Sequence, residues 1–236
     1  MGMKLVKSSF IKTMATLVVG LVFALTSFSA NAAEKGYTEL SKPQQAAFEK
    51  FGGASDSHTI YEFFSYGCSH CDHLEPQLEK WIKSHKGIKL VKIPVSFGSG
   101  PWEVTAKAYY VAESLGNEKT LTPKIFSAIH VDKEKLYTED ALQEFFKKQG
   151  VSKAKFDVAY NSFGVAQQLR KDAALIKKVG ITGVPTLVVD GKYLTSVAKA
   201  GSPEAMFKVI EKLVADSFKE EGLDKGKIAG AVGLSQ

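Results

Sequence analysis

Thr59-Ile60-Tyr61-Glu62-Phe63-Phe64 leads within a few residues into Cys68-Ser69-His70-Cys71, and the stretch changes character on the way. The first part is a β-branched and aromatic run of the kind that forms strands. The second stands where a helical pattern opens, with Leu74, Leu78 and Ile82 at i, i+4, i+8 forming one buried face. Two thiols at this spacing at a helix start can close a small ring. The first of them feels the positive end of the helix dipole, which favours its thiolate, the reactive species. The arrangement points to thiol–disulfide chemistry. Pro76 interrupts the helix; it either tilts the first turn and its cysteines outward or makes a bend without purpose.

Cys68 and Cys71 are the only two cysteines of the chain. No second pair exists for a structural disulfide or for the other half of a four-thiolate zinc site. A zinc site would have to recruit His70 or His73, without a second ligand pair far along the chain. A permanent disulfide across two residues closes so small a loop that it removes little entropy from the unfolded chain. Both readings are weaker than a catalytic dithiol, and no metal is expected.

Lys4, Lys7 and Lys12 precede an apolar stretch from Met14 to Phe28, and Ala30-Asn31-Ala32-Ala33 follows. This is the pattern of a secretory signal peptide over residues 1–32, too short for a comfortable membrane span, although an uncleaved anchor has the same outline. Removing it takes three lysines and no acids from a chain of formal charge +6, leaving 28 basic against 25 acidic residues, or +3. So mild an excess argues against a nucleic-acid partner. An exported, oxidising location is where a dithiol works as an oxidant.

The remaining residues suffice for one domain carrying an insertion. A second β-rich run, Ile88 to Phe97, follows the first helix. A third, Thr186-Leu187-Val188-Val189, is joined through Asp190-Gly191 to Lys192-Tyr193-Leu194, a strong hairpin signal. Residues 99–180 are helical in pattern. Their expected helix starts are Ser99 with Pro101, Thr122 with Pro123, Thr138 before Glu139-Asp140, and Ser152 before a run lasting to Phe163. A helix from about Val165 to Lys178 leads back to the sheet, and a closing helix begins at Ser202-Pro203-Glu204. The expected organisation is therefore an α/β domain in two parts, 33–98 and 171–222, around a helical insertion at 99–170, with a flexible tail at 223–236.

Two charges stand out. Glu62 lies inside an apolar strand, sharing a face with Ile60 and Phe64, and Lys92 lies inside the neighbouring run. A carboxylate there is either exposed at an edge or buried, and burial raises its pKa towards neutrality. Gly183-Val184-Pro185-Thr186 precedes the hairpin, and an X-Pro bond entering a strand is a place where a cis peptide persists.

A strand, CxxC at a helix start, a second strand, then Val-Pro, a hairpin and a final helix is the order of a thioredoxin fold. The whole exported chain resembles the DsbA family of bacterial periplasmic thiol:disulfide interchange proteins. The resemblance rests on Glu62-Phe63-Phe64-Ser65 leading to the CxxC, on the large helical insertion, on Tyr160-Asn161-Ser162-Phe163, and on Gly183-Val184-Pro185 before Asp190-Gly191-Lys192-Tyr193. One departure is Ser69, where the family usually has proline, so the redox potential is not carried over.

The resemblance implies a thioredoxin fold with an inserted all-helical subdomain and a redox-active Cys68–Cys71 disulfide in place of any cofactor. Cys68 would be the exposed nucleophile, Cys71 its buried partner, and His70 a group stabilising the Cys68 thiolate. Pro185, if cis, would face the disulfide and leave the Val184 backbone free to pair with an extended peptide, with Ser69 beside it. Glu62 and Lys92 would form a buried pair beneath the cysteines that helps move the Cys71 proton, and Glu75 a weaker electrostatic neighbour. The implied protein is a periplasmic monomer that oxidises unfolded or reduced exported proteins and is itself reoxidised by a quinone-linked membrane protein of the DsbB type. A reductase or isomerase, and a peptide-binding chaperone with an incidental CxxC, are the competing readings.

Overall fold

The computed structural model describes residues 35–51, 58–98 and 100–220. The expected signal peptide, the tail from 223 and Ser99 lie outside the described residues.

The fold is organised around one strand. β2, His58–Phe64, is buried along its entire length. It pairs in parallel with β3, Ile88–Pro94, and antiparallel with β4, Thr186–Val189, while β5, Tyr193–Thr195, and β1, Tyr37–Glu39, complete a sheet of order β1-β5-β4-β2-β3. Asp190 and Gly191 both take positive φ, 51° and 66°, the turn geometry whose twist matches that of the strands it joins. β1 was not legible: it is three residues long, largely exposed, and its partner β5 lies far along the chain.

The period-2 alternation of β2 sends its side chains to different layers. Ile60 packs with Leu74 and Leu78 of α2, Ser69–Ser84, and with Met206 and Ile210 of the closing helix α9, Pro203–Glu220. Tyr61 and Phe63 point the other way, onto Leu175 and Val179 of α7, Phe163–Val179, and onto Phe48, which lies between the short α1, Lys42–Gln45, and β2. The remaining short helix, α8, is Val197–Ala200.

The inserted helices have their own core. α3, Pro101–Ser114, α4, Glu118–His130, α5, Glu139–Lys148, and α6, Lys153–Tyr160, enclose Val111, Ile125, Leu142, Phe146 and Phe156. That cluster continues without a break to Phe64, Tyr66 and Cys71, so the insertion packs directly against the end of β2 where the cysteines stand.

Helix starts were read correctly where a side chain caps the first turn: Thr138 Oγ1 accepts from the Ala141 N–H at 3.2 Å and Ser152 Oγ from the Lys155 N–H at 3.4 Å. The starts expected at Pro101 and at Ser202-Pro203 are also observed, whereas two other boundaries differ. Thr122-Pro123 does not begin a helix; α4 starts at Glu118, and exposed Pro123 sits inside it while Leu121, Ile125 and Phe126 keep the buried stripe going. The run expected to last to Phe163 ends at Tyr160, because Ser162 caps a new helix by accepting from the Val165 N–H at 3.2 Å. α7 then runs unbroken through residue 170, the expected boundary of the insertion.

Candidate active site

Cys68 is the residue before α2, in extended conformation (φ −96°, ψ 114°), and its side chain does not cap the helix. Its thiol is left facing outward and half-buried, whereas Cys71, one turn on, is fully buried. Both are free thiols in this structure. Helix geometry places them together, and their environments push their acidities apart. The Cys68 thiol is lowered to about 6, chiefly because the Cys71 thiol donates a hydrogen bond to it, with further help from the backbone N–H groups of Cys71 and His70 and from the His70 charge. Cys71 is raised by donating that bond, then by burial and by the charges of Cys68 and Glu62. One sulfur is thus a ready nucleophile and leaving group and the other holds the proton.

The loop between β2 and α2 holds both cysteines, Cys68 by its backbone and Cys71 by its thiol. The Ser65 carbonyl accepts the Cys68 N–H at 3.1 Å, and the Ser65 backbone is a hydrogen-bond partner of Cys71. Across the site the Val184-Pro185 peptide is cis. The Val184 carbonyl lies 3.4 Å from Cys68 Sγ, a bond available to the thiol and lost on ionisation, and the Val184 N–H has no partner among the described residues. Beside it opens a groove of about 720 Å³, lined by His70, His73, Gln77, Gly183, Val184 and Pro185 among others. Ser69 is exposed and does not line it. His70 is exposed at the groove's rim, with its charge acting on Cys68 more weakly than the Cys71 hydrogen bond.

Beneath the cysteines β2 and β3 run in a register that sets Glu62 opposite Lys92. Lys92 Nζ donates to Glu62 Oε2 at 2.6 Å and to Glu75 Oε2 at 2.5 Å, and also lies 5.1 Å over the Phe64 ring. Glu75, expected as a weaker electrostatic neighbour, is therefore bonded to Lys92 as directly as Glu62 is. The sequence signal for this was its place one turn beyond Cys71, on the buried side of α2 with Leu74 and Leu78. Burial raises the Glu75 carboxyl to about 7 against the pull of Lys92. Burial alone would lower Lys92, but its two carboxylates outweigh that and raise it. The ionised cluster carries one net negative charge, and Glu62 Oε1 has no hydrogen-bond partner among the described residues.

A mixed sheet that presents an acid thiol at a helix start, backed by a buried thiol and faced by a cis-proline loop, defines a thiol:disulfide oxidoreductase of thioredoxin type. The chain matches the model of the DSBA-like thioredoxin domain over residues 59–210 and belongs to that family. The thiol:disulfide interchange protein DsbA of Burkholderia cepacia is 36% identical over 208 residues, which cover 86% of this chain and 95% of that one. The DsbA of Pseudomonas aeruginosa is 34% identical over 209 residues, 85% and 96% of the two chains. The crystal structure of the latter superposes with a TM-score of 0.71 at 33% identity, covering 80% of this chain and 95% of that chain. The protein is a DsbA-like thiol:disulfide oxidoreductase.

Proposed function

We propose that the protein works as an oxidase of exported proteins in the periplasm, donating the Cys68–Cys71 disulfide to reduced clients. The observation that carries this direction is the inequality of the two thiols. A Cys68 thiolate stabilised well below the ordinary cysteine range makes the reduced form favourable and the disulfide correspondingly eager to be reduced.

A client thiolate attacks Cys68 Sγ, the Cys68–Cys71 bond breaks, and Cys71 departs and takes up a proton. A second client thiolate then attacks the client sulfur of the mixed disulfide and expels Cys68 as a thiolate. Two client thiols have become a disulfide, and the protein's disulfide has become the dithiol. Cys68 leaves readily because its thiolate is stable near pH 6 and above. Glu62, whose charge acts on Cys71, and Lys92, which holds Glu62 in place, move the Cys71 proton. The groove beside Pro185 binds the client as an extended chain along the Val184 backbone, and exposed Ser69, outside the groove's lining, meets the client only beyond it. His70 adds a charge that favours the Cys68 thiolate. The protein acts as a monomer on unfolded or reduced exported proteins, needs no cofactor beyond its own disulfide, binds no nucleic acid, and is reoxidised by a quinone-linked membrane protein of the DsbB type.

Oxidised protein mixed anaerobically with a reduced, unfolded client should oxidise one pair of thiols per molecule and then stop, resuming only when an oxidant is added. Free thiols counted over time check this. Sustained turnover with no acceptor would contradict the need for an external oxidant, and preferential reduction of client disulfides by the dithiol form against glutathione would reverse the direction assigned here. Client protection that survives replacement of both cysteines would favour a chaperone.

A further inference from the structure

Thr122, Phe126 and His130 are spaced at i, i+4, i+8 along α4, one continuous face of an inserted helix, and all three meet Tyr66. The Tyr66 phenol and the Thr122 hydroxyl are 2.9 Å apart. The Phe126 ring packs edge-on against the Tyr66 ring at 4.9 Å. His130 Nε2 lies 2.7 Å from the Tyr66 carbonyl oxygen, with its ring tilted against Phe126 at 6.2 Å. Tyr66 is 1% exposed, so its carbonyl has little access to water, and His130 is its hydrogen-bond partner among the described residues.

Tyr66 stands between Ser65, whose carbonyl accepts the Cys68 backbone N–H and whose backbone is a hydrogen-bond partner of the Cys71 thiol, and Gly67, whose N–H is turned back onto Ser65 Oγ at 3.2 Å. We propose that His130 is a positioning residue for the redox reaction: by donating from Nε2 to the Tyr66 carbonyl, it fixes the β2–α2 loop and through it the environment of Cys68 and Cys71. The inserted subdomain is then the outer jaw of the active-site loop as well as a wall of the core.

The acceptor is a carbonyl, which has no proton to give, so His130 must be the donor. Its Nε2–H tautomer and its imidazolium both satisfy this. The role therefore needs a donor at that point and no charge, which distinguishes it from an electrostatic effect of a histidine near a thiolate. Glutamine can place an amide N–H in the same region without titrating; leucine fills space and leaves the carbonyl unpaired; asparagine is too short to reach.

The inference rests on the redox role of Cys68 and not on the direction of transfer, so its readout is the acidity of Cys68 itself. In the reduced protein, His130→Leu and His130→Asn should raise the Cys68 pKa, followed by thiolate absorbance, by about half a unit or more, weakening thiolate stabilisation roughly threefold. The equilibrium with glutathione should move by a comparable factor. His130→Gln should restore both to within about 0.2 of a unit and should do so across the pH range. Should the leucine variant not fold, the asparagine and glutamine pair gives the same contrast. Unchanged Cys68 acidity in a folded leucine or asparagine variant would overturn the proposal, even if its Tm fell. So would failure of glutamine to rescue an effect that the other two show, since that would make the imidazole's charge the active property.

Discussion

Two buried carboxylates among the described residues have their pKa pushed up to about 7, Glu75 beneath the cysteines and Asp172 between the inserted helix α3 and α7, and they are neutralised by opposite means. Glu75 meets a cation, Lys92, that it shares with Glu62. Asp172, 1% exposed, meets neutral donors: the Tyr110 hydroxyl, and the Gln168 amide at 3.1 Å. A cation beneath a redox site lets a carboxylate stay charged where charge can influence a neighbouring thiol. A phenol and an amide bind either protonation state of a carboxyl group and serve to join two helices. The first cluster places charge near Cys71; the second makes a joint whose strength follows pH.

The largest effect expected from breaking this contrast is that of Lys92→Met. It leaves two carboxylates buried without a cation, a loss of about 3–5 kcal/mol in unfolding free energy at pH 7.5 by urea titration. Lowering the pH to about 5 should return part of the loss as a carboxylate takes up a proton. A loss below about 1 kcal/mol at pH 7.5 would mean that the cluster is solvated and that the buried ion pair does not describe it.

Asp172→Asn should act on the slope rather than the level. The folded pKa of Asp172, about 7, lies above the ordinary 3.8, so the folded state binds the proton more tightly. Its contribution to stability is complete below about pH 4 and declines as pH rises, until above about pH 7 the full cost of a buried charge is felt. Three units amount to about 4 kcal/mol as an upper bound. Against this, the asparagine forfeits one or two kcal/mol of hydrogen bonding from Tyr110 and Gln168. The variant should therefore be about 1 kcal/mol less stable than wild type at pH 4 and about 2 kcal/mol more stable at pH 8. Parallel curves for the two proteins would show that Asp172 does not change its charge in this range.

The two clusters also differ in how far the sequence revealed them. Glu62 and Lys92 were visible because each interrupts an apolar strand, and two such interruptions on neighbouring strands can meet if the register allows; β2 and β3 pair them directly. Asp172 interrupts nothing visible. It lies in a helix whose other face is charged, and its partner Tyr110 is on a helix whose crossing with α7 no local pattern encodes. The same division holds for the fold. The CxxC helix and the Asp190-Gly191 hairpin are decided by residues adjacent in sequence, and both were legible. β1 is held by Tyr193–Thr195, and the clamp on Tyr66 by α4, so both depend on contacts that exist only once the chain has closed. At the site, the two cysteines, the loop at Pro185 and the Glu62–Lys92 pair were readable, whereas the weight of Glu75 and any part for His130 were not.

The smallest and most discriminating effect separates the two acids that share Lys92. Glu62 acts on the charge state of Cys71, and Glu75 acts on Lys92 and Glu62. If Glu62 takes the Cys71 proton as that thiol attacks a mixed disulfide, its loss removes a general base, whose contribution is typically a hundredfold or more. Water at the cluster can replace part of that, so Glu62→Gln should slow disulfide closure from the Cys68–glutathione adduct by about tenfold, followed by acid quench and mass analysis. Glu75→Gln removes a carboxylate that burial already holds near half-protonation and leaves Lys92 in a one-to-one pair with Glu62. Its closure rate should change less than about twofold at pH 7. Equal slowing in both variants would make the three residues one titrating unit, in which protons pass among Glu62, Lys92 and Glu75 faster than sulfur exchanges. No slowing in either would leave Cys71 to lose its proton directly to solvent, and the cluster's place beneath it would then be a matter of packing alone.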